Sequence, residues 1–354
     1  MKTLVMIVIV MVVLAAAITV TLVIYTHNNL HFDDHFMDAV YSSGFEEKQV
    51  NWNGATINYA EGLSNGPPLV LIHGQNVEWR EYAEVLPKLA KDYHVYAIDC
   101  FGHGKSAHDP ALYTCAKNGE GVSWFIESII GRPALLSGHS SGGIIAAWVA
   151  AYAPEWVSGL LLEDPPFFSV TPSEMQEGRS CFAWKDNFEI THAFLNQSSE
   201  ADYMVYYFQH SYFLSLFGGL QPVFADWVGQ WRTEHPIGPV KLKWLPHNWF
   251  RGQYYAEDYD LRFGETFYTG SWFDGIDQTT MLERIKCPTI YLKAQTNYGK
   301  DGVLYAANSD EDAKRVMQCL TGTKSVEMRT IKSGHDIHYE KQAFFISAIH
   351  DLLA

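Results

Sequence analysis

The stretch Ala134-Leu135-Leu136-Ser137-Gly138-His139-Ser140-Ser141-Gly142-Gly143-Ile144-Ile145 constrains this chain more than any other. An apolar run leads into it and a helix-forming run leads out. Between them a serine sits in G-x-S-x-G spacing. The pattern predicts a strand, a sharp turn and a helix, with Ser140 at the apex. So tight a turn pushes its central residue into a strained backbone region and brings strand and helix together, so the flanks must lack side chains. The result is a hydroxyl held above a sheet edge, at a helix N-terminus that favours developing negative charge. The pentapeptide alone fits any glycine-rich turn with an incidental serine. The strand–turn–helix context makes Ser140 a candidate nucleophile.

The surrounding chain alternates in the same way. Leu69–Ile72 is a continuous apolar run ending in His73-Gly74-Gln75-Asn76. His94–Ile98 ends in a glycine-punctuated loop from Asp99 to Ser106, and Val157–Leu162 ends in Glu163-Asp164-Pro165-Pro166. Helices are expected at 81–91 and 121–130, and a hairpin over 50–59 with its turn at Asn53-Gly54. The fold class is therefore α/β, a doubly wound and mostly parallel sheet, with ligands at the carboxyl ends of the strands. The rhythm stops at Phe167 and resumes at Cys287. The interval holds the aromatic clusters 203–208 and 212–217 and is broken by Pro236, Pro239 and Pro246. It reads as an inserted, mainly helical cap. Most of its aromatics are expected to form its own core, and a few to line an apolar pocket.

The first residues read differently. Leu4 to Tyr25 is apolar and uncharged, long enough to cross about 30 Å of hydrocarbon as a helix. A signal anchor is expected, with a cleaved secretory signal as the alternative. Lys2 before the span, and no Lys or Arg just after it, put the N-terminus inside and the remainder outside the cytoplasm. The expected organisation is an anchor at 1–27, a tether at 28–47, a core at 48–166 and 281–354, and the cap at 167–280. With 47% hydrophobic and 18% charged residues the chain reads as globular. A net charge of −15 argues against a nucleic-acid partner. The five cysteines are scattered, so buried thiols are expected rather than a disulfide framework or zinc site. No His/Asp/Glu set shows ligand spacing, and neither metal nor cofactor is expected.

Four motifs, in order, carry a resemblance: His73-Gly74, Asp99-x-x-Gly102-x-Gly104-x-Ser106, Gly138-x-Ser140-x-Gly142 and Gly334-His335. From about Val50 to Ala354 the chain resembles the α/β-hydrolase superfamily. The resemblance implies Ser140 as nucleophile and His335 as base. His338, His139 and His103 are rivals for the base, and His73 and His103 stand where relatives often keep a packing histidine. It also implies an oxyanion hole from the backbone N–H groups of Gln75 and Ser141. The acid departs from the common pattern, because Asn297 occupies its usual place. Some relatives carry it one strand earlier, where this chain has Asp164. Asp301, Glu163 and Asp310 stay open. A serine rather than an aspartate nucleophile argues against carbon–halogen and epoxide chemistry. The implied activity is membrane-anchored hydrolysis of an apolar carboxylic ester through an acyl-enzyme. A carbon–carbon hydrolase, an amidase or peptidase, and a non-catalytic binder are the alternatives.

Overall fold

The computed structural model describes residues 2–249, 251–255 and 258–352. Eight strands form one sheet: β1 (Glu46–Trp52), β2 (Ala55–Glu61), β3 (Pro68–Ile72), β4 (His94–Ile98), β5 (Ala134–His139), β6 (Val157–Glu163), β7 (Thr289–Ala294) and β8 (Val326–Ile331). Their order is β1-β2-β4-β3-β5-β6-β7-β8. The β1–β2 and β2–β4 pairs are antiparallel and the rest parallel. Asn53 and Gly54 turn the hairpin with φ of 51° and 93°, the left-handed pair that matches strand twist. The sheet is covered on both faces. Along β3, Leu69 and Leu71 enter one apolar cluster while Val70 and Ile72 enter the other. This two-sided burial is why β3 reads as an unbroken apolar run.

The N-terminal helix α1 spans Lys2–Leu30 without a break. Its Thr3–Leu30 portion is long and apolar enough to cross a membrane. The expected tether is itself structured. Helix α2 (Phe32–Ser42) follows at once and buries Val40, with Phe36 and Met37 against the same core. The apolar spacing 36, 37, 40 is a helical stripe, masked by acidic neighbours. The expected helix over 81–91 is also corrected. The chain forms a short 3₁₀ turn, Trp79–Tyr82, and a single helical turn, Leu86–Leu89. Pro87 has no N–H to give the Ala83 carbonyl, so a helix begun at 81 cannot run through it, and Pro87 stands instead in the first turn of a new one. The helix expected at 121–130 begins earlier, at Cys115–Phe125, and ends in a wider turn over Ile126–Ile130.

Between β6 and β7 the described residues contain helices and no sheet strand; the longest helix is Gln221–Glu234. Residues from Ile190 to Leu245 form their own apolar cluster, which includes Met204, Tyr207, Phe208, Leu214 and Val228. Phe167–Phe188 and Tyr259–Trp272 instead join the main core. All five cysteines are buried free thiols.

Candidate active site

The carboxyl ends of β5, β6 and β8 bring the key side chains together. Ser140 stands between β5 and the helix Ser141–Tyr152, with φ 53° and ψ −124°. The glycines beside it are required by contact. A Cβ on Gly138 would lie 2.2 Å from the Gly142 carbonyl oxygen, and one on Gly142 would lie 2.3 Å from those of Ile72 and His73. The Ser140 N–H donates to the Glu163 carbonyl (2.9 Å), tying the turn to β6.

Asp164 follows β6 with φ 43° and no solvent exposure. Its N–H donates to the Leu292 carbonyl (2.8 Å). Its Oδ1 accepts from the Ala294 N–H (3.0 Å), and its Oδ2 lies 2.7 Å from His335 Nδ1. A buried carboxylate held by a main-chain donor on one oxygen and an imidazole on the other is fixed in place. Asp301 lies elsewhere and accepts from Tyr212 Oη (2.7 Å). Asp310 accepts from Thr296 Oγ1 (2.6 Å). Glu163 serves a different histidine, accepting from the His338 N–H (2.6 Å) and lying 2.9 Å from His338 Nδ1.

The other histidines divide by partner. His73 Nε2 accepts from the Cys100 N–H (2.9 Å), and His103 Nε2 accepts from the Asn76 N–H (3.3 Å). Burial pulls both below the usual histidine pKa, so they are neutral braces between loops. His139 is the opposite case. Burial opposes its charge, but Glu81 lies 2.9 Å from its Nδ1 and pushes it up to about 10. Burial likewise opposes the charge of Glu81, yet His139 draws it down to about 2. The His139 ring lies 4.5 Å from that of His335 and 5.1 Å from that of His338. A buried ion pair thus underlies the candidate base. Chain spacing revealed no ligand set, yet the fold gathers Glu81, His139 and His338 with ligand atoms within 4.8 Å of one another. They are engaged in carboxylate–imidazole pairs, and the signal for those pairs lies in contacts 58 and 175 residues apart.

A cavity of about 260 Å³ opens at these strand ends. Gln75, Ser140, Ser141 and His335 line it, and Phe182, Phe188, Phe267 and Tyr305 form much of its apolar wall. Of the aromatics in 167–280, Phe182, Phe188 and Phe267 thus line the cavity, while the clusters at 203–208 and 212–217 do not. Tyr207, Phe208 and Leu214 are consumed by the separate apolar cluster they build.

The alpha/beta hydrolase family model matches residues 69–348, and the chain belongs to that family. It is 35% identical over 153 residues to a probable 1-acylglycerol-3-phosphate O-acyltransferase of Oryza sativa, covering 41% of this chain and 35% of that protein. It is 37% identical over 109 residues to an (E)-2-((N-methylformamido)methylene)succinate hydrolase of Acinetobacter baylyi, covering 30% and 40%. The chain thus spans between a third and two-fifths of these relatives' length. Among solved structures, a hydrolase from Pseudomonas aeruginosa superposes with a TM-score of 0.58 at 19% identity over 88% of this chain and 99% of that one. A membrane phospholipase A superposes with a TM-score of 0.57 at 22% identity over 99% and 98%. At these identities the solved structures speak for the fold.

Proposed function

We propose that this protein is a membrane-anchored serine hydrolase that cleaves an apolar carboxylic ester with Ser140, His335 and Asp164. The observation that carries the reading is the 2.7 Å contact between Asp164 Oδ2 and His335 Nδ1, beside a cavity that Ser140 shares with His335. With Nδ1–H donated to Asp164, the other ring nitrogen is left to take a proton. In the proposed reaction Ser140 Oγ attacks the ester carbonyl as His335 Nε2 accepts its proton. The backbone N–H groups of Gln75 and Ser141 receive the oxyanion. The imidazolium then protonates the leaving alcohol. Water attacks the acyl-enzyme with the same histidine as base, and collapse returns the proton to Ser140. Asp164 accepts from Nδ1–H throughout and holds the imidazolium.

The apolar preference follows from the aromatic wall of the cavity. Acyl chemistry is also shared by the named activity of the rice relative. In this reading α1 anchors the enzyme, with the catalytic part outside the cytoplasm. The test is labelling by a fluorophosphonate probe and turnover of an ester series of rising acyl length. Wild type should label and Ser140→Ala should neither label nor turn over. Ser140→Ala turnover within tenfold of wild type would remove the serine mechanism. Rates indifferent to acyl length would remove the apolar preference.

A further inference from the structure

Helix α1 does not end on a loose leash. Its last turn is bonded to residues 241–247, in the segment between β6 and β7. Asn29 Nδ2 donates to the Leu242 carbonyl (3.0 Å) and also to that of Leu245, while the His247 N–H donates to Asn29 Oδ1 (3.0 Å). Lys241 Nζ donates to the Leu30 carbonyl (2.9 Å), one of the acceptors a helix C-terminus leaves unpaired. Just beyond, the Phe32 ring stacks on His247 at 4.5 Å, and Tyr254 Oη donates to Asp33 (2.6 Å).

This attachment sets a height. At about 1.5 Å per residue, Leu4–Tyr25 fills the roughly 30 Å hydrocarbon layer. Asn29 and Leu30 come about 7 Å later, the depth of the headgroup layer by the same dimensions. Whatever bonds to Asn29 and Leu30 therefore sits among headgroups. The chain around that attachment carries exposed apolar and aromatic side chains. Trp244 and Trp249 are 48% and 44% exposed, and Leu216 and Leu220 are 52% and 53% exposed. Trp249 packs 5.6 Å from the Phe217 ring, next to Leu216. Leu242 forms a common wall between the hollow holding Asn29 and Phe32 and a groove lined by Trp244. Tryptophan and lysine at the end of a membrane span are the usual residues of a membrane–water interface. Elsewhere on the sheet-bearing part, exposed large apolar residues such as Leu63, Tyr152 and Met328 are far apart in sequence, in a loop, a helix and a strand respectively. The same segment reaches the cavity, since Gly252, between Trp249 and Tyr254, lines it.

We propose that the face carrying Trp244, Trp249, Leu216 and Leu220 is a lipid-binding surface, seated in the headgroup layer of the bilayer that α1 crosses, from which the cavity takes its substrate. The proposal rests on the membrane-anchor reading of α1. The full-length protein, reconstituted into zwitterionic phosphatidylcholine vesicles, tests it through its own fluorescence. The chain has 11 tryptophans and none lies in α1. Quenching by lipid brominated high on the acyl chain therefore reports only on the remainder of the protein.

Part of the emission should be quenched. Trp244→Phe with Trp249→Phe should remove most of that quenching, and Trp52→Phe should leave it. No quenching of protein that floats with the vesicles, or quenching retained in the double variant, would overturn the surface. Protein that does not float with vesicles would refute the anchor itself, and the surface with it. A second readout addresses the route. For Trp244→Glu with Trp249→Glu, the rate on a vesicle-embedded apolar ester, divided by the rate on a short soluble ester, should fall about tenfold, a loss of about 1.4 kcal/mol. An unchanged ratio would overturn uptake from the bilayer. Hydrolysis absent in wild type on both esters, with quenching intact, would count against the hydrolase reading and leave the surface standing.

Discussion

The glycines around Ser140 and two of the helical segment between β6 and β7, Gly219 and Gly229, occupy opposite environments. At the elbow, a Cβ on Gly138 or Gly142 would lie within 2.3 Å of main-chain oxygen; at Gly219 and Gly229 it would meet nothing within 4 Å. The contrast extends to side chains. Beneath the elbow, carboxylates and imidazoles are buried in pairs, Glu81 with His139 and Glu163 with His338. In the helical segment the interior is mainly an apolar cluster, with leucines and tryptophans left outside. The first region is specified by backbone contact and charge pairing, which tolerate little change. The second is specified by apolar volume, which tolerates repacking.

Substitutions should sharpen that difference. The largest effect is expected at Asp164. On the proposed triad, Asp164→Asn should lower kcat by about 10⁴, the scale of the corresponding change in the serine-protease example, with little change in KM. Asp301→Asn should be mild. The measurement is kcat for both on one activated ester, and the reverse pattern would move the acid to Asp301.

Next comes Glu81→Gln. Removing one partner of a buried pair costs roughly 3–5 kcal/mol. His139 is raised from 6.5 to about 10, so its contribution is complete below pH 6.5 and is lost as pH rises through 10. Glu81 is lowered from 4.5 to about 2, so its contribution is complete above pH 4.5 and is lost as pH falls through 2. The gap in urea midpoint between wild type and variant should therefore be widest from pH 4.5 to 6.5 and close towards pH 10. A gap independent of pH would deny the ion pair.

Gly142→Ala should follow, with a loss near the top of the ~1–3 kcal/mol that overpacking costs, because its new methyl group meets main-chain oxygen from β3 and the residue after it. The smallest effect has the opposite sign. Gly229→Ala, inside the helix Gln221–Glu234 and in open space, should stabilise by up to about 1 kcal/mol. Equal losses at Gly142 and Gly229 in denaturant titrations would break the comparison.

The sequence announces what local physics dictates. The elbow shows because its turn admits few residues, and β3 and β6 show because strands buried on both faces cannot be polar. Asp164 could be considered because Asn297 holds no charge at the usual place. Glu81 was hidden for two reasons. It lies in a stretch whose apolar spacing predicts a helix that Pro87 breaks, and its partner His139 is 58 residues away. His338 looked like a rival base because its spacing from His335 says nothing of Glu163 waiting beneath it. The helix α2 was concealed by Asp33, Asp34 and Asp38, which outweigh Phe36, Met37 and Val40 in composition though not in packing.

Ser140 and Asp164 both hold left-handed backbone, φ 53° and 43°, on neighbouring strands joined by the hydrogen bond from the Ser140 N–H to the Glu163 carbonyl. Such conformations cost of order 1–3 kcal/mol each in a residue with a side chain, and glycine escapes most of that. A laboratory screen that rewarded heat resistance alone would therefore favour glycine at Ser140, whereas at Asp164 the bonds of its carboxylate to the Ala294 N–H and to His335 oppose the same change. Such a screen would arrive at a tougher protein without its proposed nucleophile. Only a selection that also asks for turnover can keep a serine where the backbone least prefers a side chain.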